Sequence, residues 1–138
     1  MKISKRSQYA LRAMVHLASI SNRNKPCSVK EISQKENISF DYLEKIIAQL
    51  EKKGLVKAKR GVRGGYFLSR SPDKISAGEI IKILEGTVAP VECVAHEKKY
   101  RYQCPRKKNC KTINVWNRVY QNLASTLNSI TLADLVNK

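Results

Sequence analysis

Acidic residues are scarce in this chain: 11 Asp and Glu stand against 27 Lys and Arg, a formal net charge of +16 over 138 residues. So lopsided a balance argues for a polyanionic partner, most simply nucleic acid. Charge alone does not separate DNA from RNA or from an anionic membrane surface. Long apolar runs are missing as well, so no stretch of the sequence is fit to span a bilayer. The N-terminal MKISKRSQYALRAMVHLASI is basic and then apolar, like a leader, but Arg12 and His16 interrupt the run and no small-residue cleavage site follows. It reads instead as an amphipathic helix of a cytoplasmic protein. Histidine is limited to two residues, and there is no nucleophile–base constellation from which to build an enzyme. Internal repeats and low-complexity segments are absent too. The length points to one domain with an appended helix, and 42% hydrophobic residues suffice for a core.

What is present is clear helical punctuation. Residues 7–20 carry Leu11, Met14, Val15 and Ala18 at helical spacing, and SNRNKPC then breaks the helix. Ser28 and Glu31 have the spacing of a capping box, serine capping the first turn and glutamate reaching back, at the head of a short helix with Val29 and Ile32. After the turn KENIS, Ser39 is placed to cap a third helix with Leu43, Ile46, Ile47 and Leu50 facing inward, and Gly54 stands where such a helix ends. Helix, short helix, turn and longer helix make a helix-turn-helix unit. LVKAKRGVRGGYFLSR follows, two strand-like pieces around a basic, glycine-rich turn, which adds a wing. Lys57, Lys59, Arg60 and Arg63 there are suited to phosphate or minor-groove contacts. The expected fold is therefore mainly α with a small β-hairpin wing, a winged helix-turn-helix followed by a long dimerisation helix.

A second capping-box spacing, Ser76 to Glu79, opens SAGEIIKILEG, which Gly86 ends, and Thr131 and Asp134 cap a last short helix. Between these lies TINVWNRVYQNLASTLNSI. Its Trp116, Tyr120, Leu123, Leu127 and Ile130 recur at intervals of 4, 3, 4 and 3 residues, a seam typical of helix pairing. A terminal helix of a small domain buries such a stripe most readily against a second copy, and a two-fold homodimer matches two half-sites on double-stranded DNA. Ahead of it, CVAHEKKYRYQCPRKKNC holds three of the four cysteines, Cys93, Cys104 and Cys110, spaced C-x10-C-x5-C among cations. In a reducing compartment such thiols are metal ligands or redox groups more often than disulfides. Thiolates are the usual iron–sulfur ligands. Zinc, a cluster-free thiol switch using Cys104 and Cys110 or Cys27, and a purely structural loop remain open alternatives. The expected divisions are 1–86 for the DNA-binding domain, 87–111 for a cysteine-bearing sensor loop and 112–138 for the dimerisation helix and tail.

The stretches MKISKRSQYALRAMVHLA, ISFDYLEKIIAQLEKKGLV, KRGVRGGYFLS, ISAGEIIKILEG and NSITLADLV, in this order over nearly the whole chain, resemble the Rrf2 family of bacterial transcription regulators. The resemblance implies a homodimer that sets its third helix in the major groove and its wing in the adjacent minor groove. It implies that Ser39, Phe40, Asp41, Tyr42 and Glu44 begin the recognition helix and that Arg60 is the minor-groove arginine. Lys45 and Arg63, with Lys5 and Arg6, are then phosphate clamps. Cys93, Cys104 and Cys110 fall where cluster-binding members of the family place three ligands, which implies a cluster, [2Fe–2S] ahead of [4Fe–4S], that reports iron–sulfur or redox status. The cations Lys98, Lys99, Arg101, Arg106, Lys107, Lys108 and Lys111 would offset its charge. The fourth ligand departs from the pattern. Some members place a histidine three residues after the third cysteine, where this chain has Ile113. Others use an aspartate in the partner chain's first helix, where this chain has Gln8. Glu92, His96 and Glu97 are local substitutes. A regulator of sulfur or cysteine metabolism without a cluster, or an iron–sulfur carrier, are the alternatives.

Overall fold

The computed structural model describes residues 1–100 and 104–137; Arg101, expected among the cations of the cysteine segment, lies outside them. Helix α1 spans Lys5–Ile20. It starts two residues before Ser7 because Ser4 is the cap, its hydroxyl accepting from the Ser7 amide at 3.2 Å. Ala10, Ala13, Met14 and Leu17 form its buried face, while Leu11, Val15 and Ala18 pack at the edge of the core. Helix α2, Val29–Glu36, ends on Asn37 in the left-handed conformation (φ 53°), which asparagine tolerates better than most residues. The tight turn delivers α3, Phe40–Lys52, whose Leu43, Ile46, Ile47 and Leu50 are all buried. Gly54 (φ 80°) closes α3 in a Schellman motif: its amide donates to Glu51 and that of Leu55 to Leu50, both at 2.9 Å.

The wing is an antiparallel pair, β1 (Val56–Lys59) and β2 (Gly65–Leu68), in register Val56 with Leu68 through Lys59 with Gly65. An isolated bridge then joins Cys27 to Tyr66. The Cys27 amide donates to the Tyr66 carbonyl at 2.9 Å and the Tyr66 amide returns a bond at 2.7 Å. The connector between α1 and α2 therefore lies along the free edge of β2 and fixes the wing to the helical body.

Helix α4, Ala77–Glu85, supplies Ile80, Ile81 and Leu84 to the interior. After three single-turn 3-10 helices among the described residues of the cysteine segment comes α5, Ile113–Ser129, and then α6, Leu132–Val136. Helix α6 turns back onto the core. The Leu132 amide donates to Ile75 at 2.9 Å, the Ala77 amide donates to Ile130 at 2.8 Å, and the Leu132 side chain is fully buried, worth about 1.5–3 kcal/mol relative to exposure. Gly78 lets α4 approach the end of α5, since a Cβ there would collide with the Asn128 side chain and backbone.

The capping boxes are corrected in part. Thr131 and Asp134 close theirs in both directions. Ser28 and Ser76 each accept from the third helical amide, but the partner glutamates do not reach back: Glu31 accepts from the Cys27 thiol at 3.0 Å and Glu79 pairs with Arg70. Ser39 stands at the head of α3 but makes no side-chain capping bond.

The bridge to Cys27 makes a prediction. A Cβ on Gly65 would stand 2.5 Å from both the carbonyl carbon and oxygen of Cys27, backbone atoms that cannot yield without breaking the bridge. Gly65→Ala is expected to destabilise the fold by about 1–3 kcal/mol, read as a lowered midpoint in thermal or urea unfolding. Unchanged stability would mean that the bridge does not hold the wing.

Candidate nucleic-acid interface and cysteine segment

The turn through Asn37 leaves the start of α3 uncovered. Ser39, Phe40, Asp41, Glu44 and Lys45 are exposed, and Phe40 keeps 45% of its surface in solvent. Tyr42 differs: it is half-buried, meeting Tyr9 of α1 edge to face with ring centroids 5.8 Å apart. The Arg12 guanidinium lies over the other ring, 5.6 Å from the Tyr9 centroid. On the wing, Lys57, Lys59, Arg60 and Arg63 are all exposed. Between the two arginines stands Val62, fully exposed at the tip. Sequence reasoning passed over it, although an apolar residue between glycine and arginine in a basic turn is itself a signal. Wing and α3 face each other electrostatically. Burial, then the carboxylates of Glu51 and Glu44, push the Tyr66 phenol above its usual range. Of the other expected phosphate contacts, Arg6 is committed elsewhere, its guanidinium donating to the Leu84 carbonyl at 3.0 Å.

The cysteine segment is anchored at its first half. Cys93 sits in a 3-10 turn, Glu92–Val94, and Val94 is buried. The His96 ring lies against Tyr120 of α5 at 5.3 Å. Glu97 pairs with Lys82 of α4 at 3.3 Å. Cys104 and Cys110 flank the turn Lys107–Asn109, and Cys110 Sγ lies 3.4 Å from the Thr112 hydroxyl. That hydroxyl, followed by the Thr112 amide, holds the Cys110 thiol below its ordinary range.

All four cysteines are free, and Cys93, Cys104 and Cys110 are each half-buried. The arrangement does not gather them: among the described residues no group of three His, Cys, Asp or Glu side chains could hold a metal ion. Three thiols are the right chemistry for a cluster, but the donor set does not fit one as arranged. Of the positions weighed for a fourth ligand, Glu92 is exposed. Glu97 is paired and His96 stacked, Gln8 donates to the Ile3 carbonyl at 3.0 Å, and Ile113 begins α5.

Cys27 is a different kind of thiol. It is buried, and desolvation, then its hydrogen bond to Glu31 and that carboxylate's charge, push its pKa up to about 12. On α5, Trp116, Tyr120, Leu123 and Leu127 are all half-buried, as is Ile130, which the structure places just past the helix end rather than on it, and no residue of this 17-residue helix is fully buried within the chain. Val115 is 52% exposed.

Comparison with known proteins places this geometry. The family model described as Rrf2, iron-dependent transcriptional regulator, matches residues 3–138. The HTH-type transcriptional regulator CymR of Bacillus subtilis is 40% identical over 135 residues, 98% of this chain and 89% of that protein. Its solved structure, described as the global cysteine regulator, superposes with a TM-score of 0.78 at 38% identity, covering 99% of this chain and 97% of the other. An oxidized form of Staphylococcus aureus CymR gives a TM-score of 0.74 at 31% identity, over 100% and 98%. IscR of T. potens gives 0.74 at 35%, over 99% and 87%.

The contrast among the thiols is testable. In the folded, reduced protein at neutral pH, Cys27 is expected to resist iodoacetamide while Cys93, Cys104 and Cys110 are alkylated, as read by peptide mass mapping over time. Thiolate, not thiol, is the nucleophile, so labelling Cys27 as fast as the others would overturn the reading of its buried thiol as unreactive.

Proposed function

The chain belongs to the Rrf2 family of transcriptional regulators, and from that membership we propose a homodimeric DNA-binding regulator of sulfur or cysteine metabolism whose grip on DNA answers to the thiols between Cys93 and Cys110. As a transcriptional regulator it is not an enzyme and acts in the cytoplasm, where its target lies. No described helix is long and apolar enough to cross a membrane.

The observation that carries the DNA reading is the pairing of an uncovered α3 start with a cationic wing on one rigid unit. In this reading Ser39, Phe40, Asp41, Tyr42 and Glu44 address base edges in the major groove. Residues at a recognition-helix N-terminus are the ones that reach them. Phe40 offers an apolar contact for a thymine methyl, and Glu44 can accept from a cytosine amine, while repelling phosphate wherever the register is wrong. Arg60 suits a narrow, electronegative minor groove; Lys45 and Arg63 neutralise phosphates. Trp116, Tyr120, Leu123, Leu127 and Ile130 form the stripe through which α5 pairs with its copy, supported by the absence of any fully buried residue on that helix.

For the sensor, the scattered free thiols favour a cluster-free switch, and the likeness to CymR structures, one of them an oxidized form, supports it. Disulfide formation between Cys104 and Cys110 would surrender two protons and two electrons to a peroxide, which leaves as water. Because Cys110 touches Thr112 immediately before α5, such a bond would act on the start of the pairing helix. A second reading keeps an iron–sulfur cluster on Cys93, Cys104 and Cys110, with [2Fe–2S] ahead of [4Fe–4S]. It is supported by the iron-dependent description of the family and the count of three thiols.

Two measurements test this. Anaerobic purification with iron, sulfide and zinc analysis separates the readings: metal-free protein that loses or gains DNA affinity on peroxide treatment, reversed by dithiothreitol and abolished by Cys104→Ser or Cys110→Ser, supports the thiol switch. A response that survives both serines would end it, and stoichiometric iron and sulfide would favour the cluster. Arg60→Ala is expected to weaken specific binding by about 1–3 kcal/mol and lower the salt dependence by about one contact, read by anisotropy titration at several salt concentrations. Unaltered affinity would remove the wing from the interface.

A further inference from the structure

Between the C-terminal end of α3, α4 and the segment carrying Glu97 lies a cleft of about 510 Å³, within the range of roughly 300–1,000 Å³ usual for small-molecule sites. Its walls carry both signs of charge, Lys53, Lys82 and Lys99 with Glu79 and Glu97, and an apolar element in Ile83. Glu97 is the unusual member. Its side chain keeps only 18% of its surface exposed while Oε1 meets Lys82 Nζ at 3.3 Å. Its other oxygen, Oε2, is buried without a well-formed hydrogen bond, although burial, which would raise the carboxyl, is outweighed by the Glu97 backbone, the Thr87 hydroxyl and Lys82, which lie close enough to hold it below its usual range. A buried acceptor short of partners is costly, and native structures retain few of them without a functional or structural reason. Glu79 is already tied to Arg70. Lys53, exposed at the end of α3, takes part in none of the ion pairs among the described residues.

We propose that this cleft binds a small zwitterion of the free amino-acid class, its ammonium donating to Glu97 Oε2 and its carboxylate held by Lys53. A ligand carrying both charges is complementary to a lining that mixes lysines with carboxylates. A metal ion is the poorer match, because no three donor side chains converge among the described residues. Regulation follows from position. The cleft joins the C-terminus of the reading helix to the segment that carries the thiols, so a ligand bridging Lys53 and Glu97 favours the arrangement in which they are apposed. By linkage it shifts DNA affinity by the same factor that DNA shifts its own. This coupling rests on the proposed DNA-binding role; ligand binding itself does not.

The test uses the full-length, reduced protein. Each common amino acid is screened singly by thermal shift at roughly 10 mM, with acetate and ethylamine as single-charge controls, and any hit is titrated by calorimetry. At least one amino acid is expected to bind saturably and more tightly than either control. Glu97→Gln and Lys53→Gln should each weaken it about tenfold, the loss of one charge-assisted hydrogen bond. If Glu97→Gln lowers the melting point of the free protein, Lys53→Gln decides, since Lys53 is exposed. No binding by any amino acid, equal binding of a control, or wild-type affinity in the deciding variant overturns the site. Such a failure, with the peroxide response of DNA binding intact, would leave the thiol switch standing. Binding without any effect on DNA affinity would overturn the regulatory coupling alone.

Discussion

The bridge between Cys27 and Tyr66 is the constraint on which the reading surface depends. A two-stranded hairpin is marginal in water on its own, and β1 and β2 are four residues each. Two backbone hydrogen bonds from the α1–α2 connector give β2 a partner on its other edge, and the bare Gly65 is what lets the two backbones approach. The other strand grows directly out of the Schellman turn at Gly54, so the wing is held from both the α3 side and the α2 side. Arg60 and Arg63 therefore ride on a wing whose base is tied to α3. The buried Cys27 thiol belongs to the same joint: its hydrogen bond to Glu31 links the connector to the first turn of α2.

The shortage of carboxylates acquires a meaning once their places are known. Glu85 receives the Ser4 amide at 2.8 Å and the Ser7 hydroxyl at 2.7 Å, tying α1 to the end of α4. Glu36 meets Arg12 and, at 4.0 Å, His16, tying α2 to α1. Glu79 holds Arg70, Glu97 holds Lys82, and Asp134 caps α6. Many of the few negative charges are spent inside joints between elements, where partial burial makes a single pair count. The wing cations Lys57, Lys59, Arg60 and Arg63 are left in solvent, while Glu51 and Glu44 act on Tyr66 at the base of the wing; exposed positive charge of this kind attracts a phosphate backbone and makes the attraction salt-sensitive.

Local features of the fold were legible in the sequence and non-local ones were not. The stripe Leu43, Ile46, Ile47 and Leu50 and the terminator Gly54 stand within one element, so helical spacing was enough to read them. The basic turn with its glycines announced the wing. The partner choices of Glu31 and Glu79 could not be read, because each abandons a capping amide three residues away for a side chain brought close by the fold: a thiol on the connector and an arginine beyond the wing. The α1 face was shifted for a similar reason. Small residues, Ala10 and Ala13, lie innermost, which spacing of large side chains does not reveal. At the candidate site, residue types and order pointed to the start of α3, which the fold leaves exposed; the exposed tip residue Val62 went unread, and the three cysteines that the family resemblance named as cluster ligands are not gathered among the described residues. Separation in sequence sets an upper limit on distance, not a meeting point.

That last difference bears on what the cysteine segment can transmit. Its first half is pinned three times, by buried Val94, by His96 on Tyr120 and by Glu97 on Lys82. These contacts reach both α4 and α5, so a movement there must break packing as well as an ion pair. Cys110 is held to the rest of the chain through Thr112 and the start of α5, and Cys104 is tied to it by a single short turn. On the proposed reading, chemistry at Cys104 and Cys110 is cheap to accommodate locally and is delivered to the head of the pairing helix. Chemistry at Cys93 works against the anchored half and α4. A signal that changes the spacing of two reading heads needs an element that can adopt two arrangements, and its size is limited by the free-energy difference the signal makes between them. On the proposed reading, the anchored first half is the fixed reference, and the thiols of the second half stand at the head of the helix through which the chain would pair.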